Sequence, residues 1–170
     1  MACNLSAGRA VPCKDVVGGI QKVFFVDFGG LGSVTLTADE ITDADGTFSA
    51  YEYDVKGGSS LEQTINSSRE TGTTFFEQVL TLNLTKLTKE DNVQIKLLAY
   101  GRPQILIEDN NGTVWLMGEE FGSEMNATVS TGASLGDKSG YELTFAAMEK
   151  GFAKQYTGVI GTDFAVTVGI

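Results

Sequence analysis

The chain has 170 residues and a mass of 18.1 kDa, enough for one domain with a buried core and too little for two. Its 42% hydrophobic content and two prolines exclude a chain too polar to fold, and its 21 glycines fall mostly between short apolar runs, as tight turns require. With 22 acidic residues against 12 basic ones the net charge is −10, so the average surface repels phosphate and sequence-specific nucleic-acid binding is disfavoured.

In chain order, residues 1–19 mix small, polar and charged types without a sustained period and end in Gly18-Gly19, which reads as an irregular arm. Ile20 to Phe28 is dense in β-branched and aromatic residues and stops at Gly29-Gly30, a strand bounded by a turn. The polar stretch from Gly29 to Gly46 holds a short strand at Val34 to Leu36, then a solvated acidic connection carrying Asp39, Glu40, Asp43 and Asp45. From Thr47 to Val55 the alternation predicts a half-buried strand with Tyr51 and Tyr53 on one face. Leu61 to Ser68 and Thr73 to Lys86 read as a long hairpin joined at Arg69-Glu70-Thr71-Gly72.

One helix is predicted near 89–100. Thr88 with Asp91 resembles a capping box, and Val93, Leu97 and Tyr100 recur at helical spacing beside Ile95 and Leu98 as a stripe to be docked on a sheet. Gly101 and Pro103 end it. Gln104 to Glu108 and Thr113 to Met117 flank Asp109-Asn110-Asn111-Gly112, a tight-hairpin signal, with Trp115 expected to anchor the core. Further strands are read at Glu124 to Ser130, Tyr141 to Met148 and Asp163 to Val168. Eight or nine strands and one helix predict a mainly β domain over 20–152, a β-sandwich or partly open barrel with a flanking helix, followed by a C-terminal strand or docking tail over 153–170.

Chemistry is sparse. The absence of histidine removes the commonest general base and zinc ligand, and Cys3 and Cys13 form no CxxC pair. Gly29 to Ser33 lacks the lysine of a phosphate-binding loop, and Asp43-Ala44-Asp45-Gly46 lacks the remaining ligands of a calcium loop. Glu119-Glu120 is a carboxylate pair of the type that serves glycoside hydrolysis when two such groups face across a cleft, but solvated acidic pairs are far commoner. No enzyme, cofactor or metal is therefore expected. No run approaches the ~20 apolar residues of a membrane span, and residues 1–20 lack signal-peptide character, so synthesis in a reducing cytosol with free thiols is expected.

Ala7-Gly8-Arg9, Cys13-Lys14-Asp15 and Gly18-Gly19-Ile20 resemble segments of virion structural proteins from bacteriophages of Bacteroidota. The resemblance continues through Tyr51 to Asp54, Ser60 to Asn66, Thr74 to Leu82, Ile95 to Ala99, Glu108 to Gly112 with Trp115-Leu116, Gly136-Asp137 and Gly140 to Phe145, and fades after about Phe152. Such proteins are similar to tail-tube and neck-ring subunits. The resemblance implies a tail-tube-like fold and a ring homo-oligomer, hexameric or dodecameric, made in the host bacterial cytoplasm. It also implies flanking virion tail or neck proteins and viral DNA that passes without specific binding.

On that basis Asp39, Glu40, Asp43 and Asp45 are expected to line an acidic channel. The arm (Cys3, Gly8, Arg9, Cys13, Lys14, Asp15) and the region from Lys56 to Gly72 (Lys56, Gly57, Gly58, Arg69, Glu70, Gly72) are expected to touch neighbouring subunits. The alternative is a capsid decoration or host-surface binding module using the same fold, for which Phe121 or Tyr156 would be exposed loop aromatics.

Overall fold

The computed structural model describes residues 4–44, 49–55, 57–158 and 165–168. Among them are twelve strands, β1 (Ile20–Val26), β2 (Val34–Thr37), β3 (Glu40–Ala44), β4 (Ser49–Asp54), β5 (Ser60–Ser68), β6 (Thr73–Thr85), β7 (Gln104–Asp109), β8 (Val114–Met117), β9 (Glu124–Ser130), β10 (Gly140–Glu149), β11 (Lys154–Tyr156) and β12 (Ala165–Val168), and one helix, α1 (Lys89–Tyr100). The protein is mainly β, with two sheets and no closed barrel.

One sheet has eight strands in the order β12-β4-β1-β7-β8-β11-β3-β2, and the other has four, β5-β6-β10-β9, all antiparallel. Two cores lie on opposite faces of the larger sheet. Val23, Phe25, Ile105, Ile107 and Met117 pack against Leu80, Leu82, Leu143 and Phe145 of the smaller sheet. Phe24, Val26, Leu106 and Leu116 pack on the other face with Leu31, Ile41 and Tyr156. Strands buried on both faces need apolar residues at successive positions, which is why β1 and β7 read as continuous runs rather than alternations. A register shift between Ile20 and Lys22 places Ile20 on the same face as Val23 and Phe25, against simple alternation. Val34 of β2 and Val166 of β12, from the two outer strands, pack against the same cluster, so the eight-stranded sheet curls over that core.

Two strands escaped the sequence reading. The acidic stretch expected to be a polar connection contains β3, which pairs with β2 through a two-residue turn, Ala38-Asp39, with φ of 52° and 68°. Hairpin turns of this hand usually use Asn-Gly or Asp-Gly, and neither is present. Ile41, fully buried, holds β3 in place. The other missed strand, β11, has three residues and gains its place by pairing with β8 and β3, far away in sequence.

The helix begins as predicted, with the Thr88 side chain accepting from the Asp91 backbone N–H at 3.1 Å. Its buried face differs from the predicted stripe. Val93, Leu97 and Tyr100 are exposed, while Ile95 is buried and Leu98 half-buried. Polar anchoring supplies the rest: the buried Tyr141 hydroxyl of β10 lies 2.6 Å from Asn92 Oδ1, 3.1 Å from the Thr88 carbonyl and 3.3 Å from its N–H. Trp115 is likewise half-buried at the sandwich rim rather than central, its indole N–H donating to Asp109 Oδ2 at 3.3 Å.

Candidate assembly surfaces

The arm is the most unusual feature of the protein. Every residue from 4 to 19 is exposed, including Gly8, Arg9, Cys13, Lys14 and Asp15, and Leu5 and Val11 are 98% and 97% accessible. Cys3 lies outside the described residues, and Cys13 is a free thiol. Among the described residues, the arm's hydrogen bonds to the body lie at its base. Asn111 accepts from the Val17 N–H at 2.9 Å and donates to its carbonyl at 2.8 Å, while Asn110 donates to the Gly18 carbonyl at 2.7 Å. The β7–β8 turn that carries both asparagines is braced by Asp109, whose Oδ1 accepts from the N–H groups of Asn111 and Thr113. Gly112 has φ of 82°, a conformation that explains the Asn-Gly step. A motif read as a hairpin signal thus also clamps the arm.

Among the described residues β5 and β9 are the edge strands of the smaller sheet, with α1 lying near β9. The β5–β6 hairpin runs beyond the sandwich, because Thr73 to Phe75 pair with β5 but have no partner on β10. Arg69, Glu70 and Gly72 form its exposed tip, and Ile65 and Phe75 nearby are exposed apolar side chains. Gly57 and Gly58 occupy the other end of β5, where the Gly58 carbonyl accepts from the Asn83 side chain. Eight residue steps of ~3.3 Å separate the two ends of the strand, so these residues and the tip form two surfaces roughly 26 Å apart. Lys56 lies outside the described residues.

Of the acidic residues, Asp39, Glu40 and Asp43 are exposed and form no ion pair with a described residue, whereas Asp45 lies outside the described set. Asp39 and Glu40 sit on the rim of a 450 Å³ pocket with Phe76, Trp115 and Phe152 among its walls. Phe76 and Phe152 meet edge to face, 4.7 Å between ring centres. Sequence reasoning missed this pocket because it joins β2–β3, β6, β8 and the β10–β11 connection.

Glu119 and Glu120 do not face one another across a cleft as an isolated acid pair. Lys154 pairs with Glu119 at 3.0 Å, Lys150 with Glu120 at 2.8 Å, and Glu149 accepts from the backbone N–H groups of Phe121 and Glu120 at 3.0 and 3.3 Å. Burial pushes the Glu149 carboxyl above its ordinary range, opposed by those two N–H groups and reinforced by the charges of Glu120 and Glu119. The buried Gln78 completes the network, accepting from the Gly118 N–H and donating to the Gly151 carbonyl. These contacts hold the 118–123 connection between sheets. Of the two aromatic candidates for surface recognition, Phe121 is exposed, but Tyr156 is 3% accessible and belongs to the second core.

Among the described residues no group of three or more His, Cys, Asp or Glu side chains is placed to hold a metal ion, and no helix is long and apolar enough to cross a membrane. No family model, curated protein or solved structure matches the chain. The molecule is defined by its architecture: a two-sheet β protein with an anchored, uncovered arm.

Proposed function

We propose that this chain is a non-enzymatic structural subunit of a phage tail or neck, whose copies close into rings around a DNA-conducting channel. The observation that carries the self-assembly part is the arm, which leaves Leu5, Val11, Val16 and Val17 exposed. Burying such a side chain contributes about 1.5–3 kcal/mol, against about 1–2 kcal/mol per residue to order the backbone. Four apolar positions are therefore too few to order the whole arm by burial alone. A partner must add backbone pairing or charge, and the edge strand β5 offers the first.

The virion setting rests on the sequence resemblance, and the net charge of −10 is compatible with a bore from which phosphate is repelled. Exposed Asp39, Glu40 and Asp43 are candidates for that lining. The test is native mass spectrometry with negative-stain imaging over a range of concentration and salt. Closed rings or tubes with an axial hole are the expected result, and a monomer at every concentration would overturn the reading.

The second reading, a decoration or host-surface module, is favoured by the exposed Phe121, which the Lys150 ammonium approaches at 5.8 Å from the ring centre. A stable monomer or trimer that binds capsids or cell surfaces would support it.

A further inference from the structure

We infer that the pocket walled by Phe76, Trp115 and Phe152 and rimmed by Asp39 and Glu40 is the receptor for the N-terminal arm of a second copy of this chain. Docking of this kind presupposes the self-assembly proposed above and assigns it a specific contact. It moves Asp39 and Glu40 from the bore to a subunit boundary and leaves Asp43 as the exposed acidic candidate for the channel lining.

Charge and polarity both match. The whole chain carries −10, whereas Arg9 and Lys14 against Asp15 make residues 1–18 +1, so the remainder carries −11. The arm is thus a basic segment on a strongly acidic body, and neither Arg9 nor Lys14 forms an ion pair with a described residue. Asp39 and Glu40 are the unpaired carboxylates on the pocket rim, since Lys154, which also lines it, is engaged by Glu119. Between Arg9 and Lys14 the arm carries Val11, almost fully exposed, while the pocket presents three aromatic side chains, of which Phe152 is 50% accessible. Placing Val11 against the aromatics brings the flanking cations to the acidic rim. The occupant is assigned to another copy because residues 4–16 are all exposed and form no hydrogen bond or ion pair with a described residue of their own body, although the arm's clamped base and this pocket both lie beside Trp115.

Two single-cysteine proteins test the contact in the full chain. One carries Cys3→Ser and keeps Cys13; the other carries Cys3→Ser, Cys13→Ser and Gly151→Cys, a pocket-lining position where an added side chain meets open space. Mild oxidation of the mixture is expected to give a disulfide-linked heterodimer between Cys13 and position 151. Arg9→Glu with Lys14→Glu should lower its yield by about tenfold at low salt, and Asp39→Lys with Glu40→Lys in the partner should restore it. Rings that form normally without this cross-link would overturn the arm receptor while leaving the assembly reading intact. A chain holding both cysteines that links solely within itself would show the arm folding back, and would also overturn it. Absence of any oligomer would overturn both.

Discussion

The side-chain amide of Asn111 reads the backbone of Val17 as a β-strand neighbour would, accepting from its N–H and donating to its carbonyl. This one residue converts a hairpin turn into the anchor point of the arm. Asn111→Ala should leave global unfolding within about 1 kcal/mol of the parent, because the bonds are solvent-exposed. Hydrogen exchange should show the Val17 amide losing its protection while amides in β7 and β8 keep theirs. Unchanged protection at Val17 would mean that the clamp is not what holds the arm's base.

The Tyr141 hydroxyl ties β10 to the first turn of α1, a helix that buries few apolar side chains. Tyr141→Phe keeps the ring and strands the polar groups around it, so a loss of about 1–3 kcal/mol is expected. Urea titration should show a lower midpoint with the slope unchanged. A midpoint equal to the parent's would assign the docking of α1 to Ile95 and Leu98 alone.

Glu149 contributes a pH dependence whose sign follows from its raised carboxyl. The folded protein holds this proton more readily than the unfolded chain, whose carboxyl titrates near its ordinary value of 4.5. As pH rises from there through the folded-state value, the native state gives up more protons than the unfolded state, and stability falls. Glu149→Gln removes that contribution. Unfolding midpoints measured from pH 4 to 7 should therefore fall less steeply in the variant, and parallel profiles would exclude Glu149 as the source.

A side chain at Gly140 would drive its Cβ into the Leu84 carbonyl oxygen, where β10 and β6 begin their pairing. Gly140→Ala should destabilise the protein by about 3 kcal/mol or more, as overpacking against backbone does. Gly136, with open space around its Cβ position, is the control, and Gly136→Ala should be nearly neutral. Equal melting temperatures for the two variants would show that the sheet yields at this point.

Much of the fold was legible because its signals are local. Alternating apolar residues marked the β5–β6 hairpin, Asn110-Asn111-Gly112 marked the turn between β7 and β8, and Thr88 with Asp91 marked the start of α1. The same local reading failed at β3, where Ala38 and Asp39 adopt left-handed turn conformations that their residue types do not announce. It also failed for the helix face, since twelve residues with apolar side chains on several sides allow more than one buried stripe. Which stripe is buried depends on where Tyr141 holds the helix against the sheet.

The amino-acid sequence by itself determined a mainly β protein with one helix, an acidic body and an arm lacking any packing pattern, because period, charge and turn chemistry act over a few neighbouring residues. Tertiary structure decided that the central strands of the eight-stranded sheet are buried on both faces, that Trp115 stands at a rim, and that Asp39 and Glu40 border an aromatic pocket. Those arrangements arise from pairings such as Tyr156 with Ile41 and contacts such as Phe76 with Phe152, between residues far apart in the chain. Their energy comes from surface buried jointly by distant segments, and no single segment carries the record of its partner.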